Sequence, residues 1–143
     1  MKKLKLSTIE DKLWKVTRLL VFKKYGKHCY TCPQRNLEKW NLQCGHAYPK
    51  GALGAIMKYD LRILRPQCFQ CNINHGGMQA VFWKNLERDI GKRKADKLYL
   101  ECQRSKGNPI DARTHYLQLL EERQKLSTVT DLVIQATRIT LPS

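Results

Sequence analysis

His28-Cys29-Tyr30-Thr31-Cys32 and, after 35 intervening residues, Cys68-Phe69-Gln70-Cys71-Asn72 are the stretches that decide how this chain folds. Each Cys-x-x-Cys pair can clamp one side of a tetrahedral ion, and four sulfurs suit zinc. A redox dithiol needs only one pair and a thioredoxin-like βαβ setting, and neither condition fits; two unrelated turns are the bland alternative. The spacing therefore predicts a structural zinc site at Cys29, Cys32, Cys68 and Cys71. A four-sulfur site is coordinatively closed, so its ion would hold the fold and do no chemistry of its own. Cys44 and Cys102 are left over and are expected in the core as small apolar residues.

The composition around this framework is that of one domain. The chain has 143 residues, 42% of them hydrophobic, with 27 Lys plus Arg against 12 Asp plus Glu and a net charge of +15. That is enough apolar sequence for a core, whereas 27% charged residues and a mean hydropathy of -0.55 speak against a membrane protein. No apolar run approaches the roughly 20 residues of a spanning helix. The opening Met-Lys-Lys-Leu-Lys-Leu-Ser is basic but has no apolar stretch behind it, so the protein is expected to be cytoplasmic. The zinc reading depends on that reducing setting.

Charge is unevenly placed. Residues 1–27 hold nine basic and two acidic side chains, residues 28–67 six and two, and residues 68–143 twelve and eight. A basic domain with one strongly positive half has the electrostatic footprint of a nucleic-acid binder, because each Lys or Arg set against a phosphate releases a counterion. A ribosomal-type or merely soluble basic protein, or one that meets an anionic membrane surface, is equally consistent with this charge.

Periodicity predicts a basic leading helix from about Ile9 to Tyr25, with Ser7 and Glu10 as a capping box and Gly26 as the stop. Lys12, Lys15 and Arg18 lie off its apolar face, either solvated or facing phosphate. Two short strands are expected at Trp40 to His46 and Tyr59 to Leu64. Helices follow from Met78 to a Gly91 stop, through Ala95 to Cys102, and from Asp111 to Lys125; residues 127–143 show no clear period. Trp14, Trp40 and Trp83 sit at apolar-periodic or strand positions and read as core anchors. The expected fold class is α+β, a zinc-bound core over residues 28–91 with an N-terminal helix over 1–27 and a helical extension over 92–143.

Beyond the two knuckles, Gln43-Cys44-Gly45-His46-Ala47-Tyr48-Pro49-Lys50-Gly51, Tyr59-Asp60-Leu61-Arg62, Pro66-Gln67-Cys68, His75-Gly76-Gly77 and Leu86-Glu87-Arg88-Asp89-Ile90-Gly91 complete a pattern. Together they resemble the phage NinG (Rap) recombination endonucleases. More broadly they are similar to HNH nucleases of the treble-clef-like ββα-metal fold, including junction resolvases of the endonuclease VII type. The resemblance covers roughly residues 12 to 105. His46 stands 14 residues after Cys32 and 22 before Cys68, at the family's catalytic strand position.

This resemblance implies a DNA endonuclease in which His46 deprotonates the attacking water, with Asn72 as a catalytic ligand of a single Mg²⁺ or Mn²⁺. The neutral imidazole suits that work. His75, three residues beyond Asn72, is the second metal-ligand candidate if a helix begins at Asn72, with a cap or phosphate contact as the competing role; Asp60 is a third choice, or a turn residue. Lys50, Arg62 and Arg65 flank the site and would meet phosphates, or are solvated surface charges. Two departures stand out: endonuclease VII-type sites carry Asp immediately before the His, where this chain has Gly45, and the middle Asn of the HNH pattern is Ile63. The implied substrate is branched recombination DNA, cut by a homodimer. A zinc-knuckle DNA-binding accessory protein without catalysis and a sequence-specific HNH endonuclease are the alternatives.

Overall fold

The computed structural model describes residues 2–107 and 111–140, the last eleven by backbone alone. Its helices are α1 (Leu6–Tyr25), α2 (Gln79–Ile90), α3 (Lys92–Arg104) and α4 (Ala112–Thr140), and its strands are β1 (Gln43–His46) and β2 (Leu64–Gln67). The class is α+β, helix-rich with one two-stranded antiparallel sheet. The chain divides into two compact units, residues 21–110 and the combination of 1–20 with 111–143. The first part of α1 thus groups with the C-terminal helix, and α3 with the cysteine-bearing segment, a different partition from the sequential one expected from sequence.

In the unit of residues 1–20 and 111–143, the apolar positions Ile9, Leu13 and Leu20 are buried, as are Tyr116 and Leu120. Polar groups fix the pairing. The Thr17 hydroxyl donates to the Leu13 carbonyl at 2.6 Å and accepts from Arg123 Nη1 at 2.6 Å, all buried. This bond explains the grouping, since Arg123 lies 106 positions from Thr17. Arg113 also donates to the Leu4 carbonyl at 2.7 Å. α4 continues through most of the stretch that lacked a clear period; residues 141–143 lie outside the described part of the chain.

In the unit of residues 21–110, α1 ends as expected: Gly26 takes φ +78° and its N–H reaches the Phe22 carbonyl at 2.8 Å. The sheet pairs Gln43 with Gln67, Cys44 with Pro66, Gly45 with Arg65 and His46 with Leu64. β1 ends at His46 as expected but starts three residues late, and β2 is shifted to begin at the last residue of the segment expected for it. Lys39–Asn41 form a tight 3-10 turn entered at φ +52°, which delays β1 to Gln43. The Asp60 carboxylate accepts from the Arg62 N–H at 2.9 Å and holds Leu61–Ile63 in another turn, so β2 begins only at Leu64. Pro66 is tolerated because a two-stranded sheet is all edge, and its carbonyl accepts from the Tyr30 N–H at 2.8 Å, tying the first knuckle to β2.

α2 lies over this base. Phe82 and Leu86 are fully buried, each worth on the order of 2 to 3 kcal/mol of apolar burial. Three polar side chains orient the helix: Trp83 Nε1 donates to the Ala47 carbonyl at 2.7 Å, Asn85 Nδ2 to the Tyr30 carbonyl at 2.8 Å, and the Tyr30 hydroxyl to Asp89 at 2.6 Å. Cys44 and Cys102 are buried, as expected. Trp40 is not a core anchor: it is 71% exposed, edge-on to Phe69 with ring centroids 5.7 Å apart, because it sits in the 3-10 turn outside the strand.

Candidate metal centre and active site

The four knuckle cysteines converge. One sulfur from each of Cys29, Cys32, Cys68 and Cys71 lies within 4.8 Å of all the others, and Cys32 and Cys68 are 3.7 Å apart. Zn–S bonds of about 2.3 Å place the sulfurs of a tetrahedron roughly 3.8 Å from one another, which the Cys32–Cys68 pair matches and the other pairs approach, so the group could hold a tetrahedral ion. The local backbone makes this happen. The Cys29 N–H binds the Gln34 carbonyl at 2.9 Å to close the first knuckle, and the Cys71 N–H points at Cys68 Sγ from 3.4 Å in the second. Leu37, Leu42 and Met78 pack around the cluster. The thiols shift in opposite directions: burial pushes Cys71 up to about 12 and raises Cys32, whereas at Cys29 burial is outweighed by hydrogen bonds from the backbone of Cys68 and Thr31, which bring the group to about 7. Among the described residues this is the sole group of three or more Cys, His, Asp or Glu that could hold a metal ion.

The second knuckle leads directly into Asn72. Gln70–Asn74 form one wide π-type turn, and the chain then passes through three successive left-handed residues, Gly76, Gly77 and Met78, before α2. The Asn72 N–H is held by the Cys68 carbonyl at 3.0 Å. Its side-chain Nδ2 donates to Gln43 Oε1 on β1 at 2.8 Å, which leaves Oδ1 as the side chain's acceptor atom. The turn ends at Asn74, so His75 is not one helical turn beyond Asn72 on a shared face, as expected from spacing. His75 is exposed and its Nε2 lies 3.2 Å from Gln70 Nε2.

His46 ends β1, half-buried, with Nε2 2.9 Å from the Lys58 carbonyl oxygen. A carbonyl only accepts, so Nε2 carries the proton and the lone pair of the neutral ring falls on Nδ1. Burial lowers the imidazole to about 4, against the hydrogen bond to Lys58 that raises it, and the charges of Lys50 and Lys58 add to the lowering. His46 is therefore neutral throughout the physiological range.

The position before it explains one departure from the nuclease pattern. A Cβ on Gly45 would collide with Gln67 Oε1, so the space a carboxylate would occupy is filled by the Gln67 amide. That amide is fully buried, with Nε2 donating to the Thr31 hydroxyl and the Gly77 carbonyl, each at 2.9 Å. Gln43 and Gln67 thus shape the site from opposite strands, and neither was singled out from sequence, where a glutamine carries no signal until its pairing is known.

The flanking cations divide. Lys50 is exposed and close enough to bear on His46. Arg62 is committed to Asp60 and Glu101, each at 2.7 Å. Asp60 caps the turn and pairs with Arg62, an ion pair that the sequence did not suggest, and Arg62 is held charged by these partners. Arg65 is 4% exposed, donates through Nη1 to the Leu61, Arg62 and Leu64 carbonyls, and lies 4.3 Å from the Tyr25 ring centroid. It is a buried structural cation, and not the surface phosphate clamp expected from sequence. Lys12 and Lys15 are exposed and Arg18 half-buried on α1, in the other compact unit.

Comparison with protein-family models, with curated proteins and with solved structures gives no match to this chain. Among the described residues, no helix is long and apolar enough to cross a membrane.

Proposed function

We propose that this protein is a structure-specific DNA endonuclease that cuts branched DNA such as Holliday junctions or D-loops by a His46-activated water, with one zinc ion in the four-cysteine cluster. The observation that carries this reading is the fixed tautomer of His46. Its ring is neutral at pH 7, with Nε2 donating to a backbone carbonyl and the lone pair on Nδ1, which supplies a proton acceptor that burial makes a weak one. The resemblance of the surrounding motifs to NinG-type and HNH nucleases supplies the substrate class. Nδ1 takes a proton from water, the hydroxide oxygen bonds to phosphorus as the bond to the 3′ oxygen breaks, that oxygen takes a proton from solvent water, and His46 returns its proton to solvent. Lys50 and Lys58 place positive charge beside the reacting phosphate. Zinc in the cysteine cluster would tie the turn bearing Asn72 to the first knuckle.

A tightly held catalytic Mg²⁺ or Mn²⁺ does not fit the side chains around Asn72. Gly45 offers no carboxylate, Gln67 fills the vacated space, Asp60 is paired to Arg62, the side chain bonded to Asn72 is the neutral amide of Gln43, and among the described residues no second group of three or more Cys, His, Asp or Glu converges. Hard divalent cations favour carboxylates. A homodimer is expected for two symmetric cuts.

The test is to incubate purified protein with a labelled four-way junction, linear duplex and single strand, with added Mg²⁺, added Mn²⁺ or neither. Junction cutting that is lost in His46→Ala while binding persists supports the enzyme. Sequence-specific cutting of linear duplex would point to an HNH restriction-type activity. Binding without cutting under every condition favours the second reading, a zinc-knuckle DNA-binding recombination accessory protein. The carboxylate-poor surroundings of Asn72 and the weak basicity of His46 speak for that reading.

A further inference from the structure

The residue 21–110 unit contains a cleft of about 570 Å³ that is lined by none of His46, Asn72 and the four knuckle cysteines, although Leu61, Arg62, Asp89 and Ile90 of the quoted motifs border it. The end of α1 (Lys24, Tyr25), the turn and strand carrying Arg62 and Arg65, and the facing α2–α3 segment with Lys94 and Lys97 line it. Its two carboxylates are already satisfied. Glu101 binds Arg62 at 2.7 Å, and Asp89 accepts from the Tyr30 hydroxyl at 2.6 Å and from Arg88 at 2.9 Å. The cations outnumber these partners. Lys94 and Lys97 make no hydrogen bond or ion pair among the described residues, and Lys24 lies over the Tyr25 ring at 5.3 Å. Arg65 is 4% exposed, has no ion pair to a carboxylate among the described residues, and leaves Nε without a hydrogen-bond partner, its other contacts being backbone carbonyls and the rings of Tyr25 and Tyr30. A guanidinium buried this way carries a desolvation cost that a nearby anion offsets.

We propose that this cleft is a phosphate-binding site, with Lys24, Lys94 and Lys97 as its contacts over a floor made positive by Arg65. Phosphate is the chemistry that matches several separated, flexible ammonium groups beside a tyrosine ring: it has several acceptor oxygens and high charge, and it needs no single planar partner. The site is distinct from His46 and makes no use of cleavage. Its phosphate comes either from a nucleic-acid backbone or from a free phosphorylated molecule, and the experiment separates the two.

The probes are a fluorescein-labelled duplex, read by anisotropy over a range of salt concentrations without added divalent cation, and inorganic phosphate and pyrophosphate, read by amide chemical shifts of the full chain. Lys24→Gln/Lys94→Gln/Lys97→Gln is compared with Lys3→Gln/Lys39→Gln/Lys84→Gln, which removes the same charge from exposed positions outside the cleft. A backbone source predicts that the cleft variant lowers the slope of log K against log salt by roughly 2 to 3, at about 0.9 per phosphate contact, and the control by less. Restoring charge with arginine at the three positions should recover the slope. A free-phosphate source predicts saturable shifts at Lys24, Lys94 and Lys97 that vanish in the cleft variant, with the two variants alike on duplex. Equal losses on duplex together with no saturable phosphate shift would overturn the proposal. Because no readout involves cutting, that result is independent of whether the chain is a nuclease.

Discussion

His46 Nε2 is bound to the carbonyl oxygen of Lys58, 12 positions along the chain, at 2.9 Å. The bond fixes both the tautomer and the orientation of the ring, and it does so through backbone, so no change of the Lys58 side chain can remove it. Burial then keeps the ring neutral.

Lowered to about 4 in the folded protein, His46 makes stability depend on acid. Between about 6.5 and 4 the unfolded chain binds a proton that the folded chain does not, so stability is full above pH 6.5 and falls as the pH drops through that window. The loss is on the order of 3 kcal/mol once both states are protonated. Urea denaturation at pH 7.5 and pH 4 should show this difference shrink in His46→Gln. An imidazole titrating near 6.5 by NMR would contradict it.

Zinc should be present at about one ion per chain, since a closed four-sulfur site binds one. Cys68→Ser, at a fully buried member of the cluster, should lower the thermal midpoint sharply, and a strong chelator should do the same to the unmodified protein. Metal analysis together with thermal denaturation checks both; zinc-free protein that melts unchanged would remove the cluster's structural role.

Gly45→Ala should destabilise by about 1 to 3 kcal/mol, because its methyl group collides with Gln67 Oε1 in a filled space. Gln67→Ala costs stability too, through lost bonds to Thr31 and Gly77. The double variant should lose less than the sum, a coupling a double-mutant cycle in urea measures directly. Strict additivity would show that the two side chains do not meet.

The tryptophans should separate by environment. Trp40→Phe should change stability by less than about 0.5 kcal/mol, as expected of an exposed position, and remove most of the iodide-quenchable fluorescence. Trp83→Phe should cost about 1 to 3 kcal/mol, because the Ala47 carbonyl loses its 2.7 Å donor.

The sequence by itself determined which four cysteines converge, the stops at Gly26 and Gly91, and the burial of Cys44 and Cys102. Each of these depends on short-range spacing or on one residue's own conformational and apolar character, and that information is local. The shifted strands were less legible, because an Asp60 side chain capping its own turn outcompeted strand pairing for Leu61–Ile63. Trp40 was misplaced for a similar reason: the left-handed Lys39 starts a turn where apolar patterning alone suggested a strand. Only the tertiary structure decided that Gln67 fills the side of Gly45, that Lys58 orients His46, that Arg65 is buried among backbone carbonyls, and that α4 joins α1 through Arg123 and Thr17. These are contacts between residues brought together by folding, made by side chains and carbonyls with many potential partners. Which partner each one takes is settled by the geometry of the packed core.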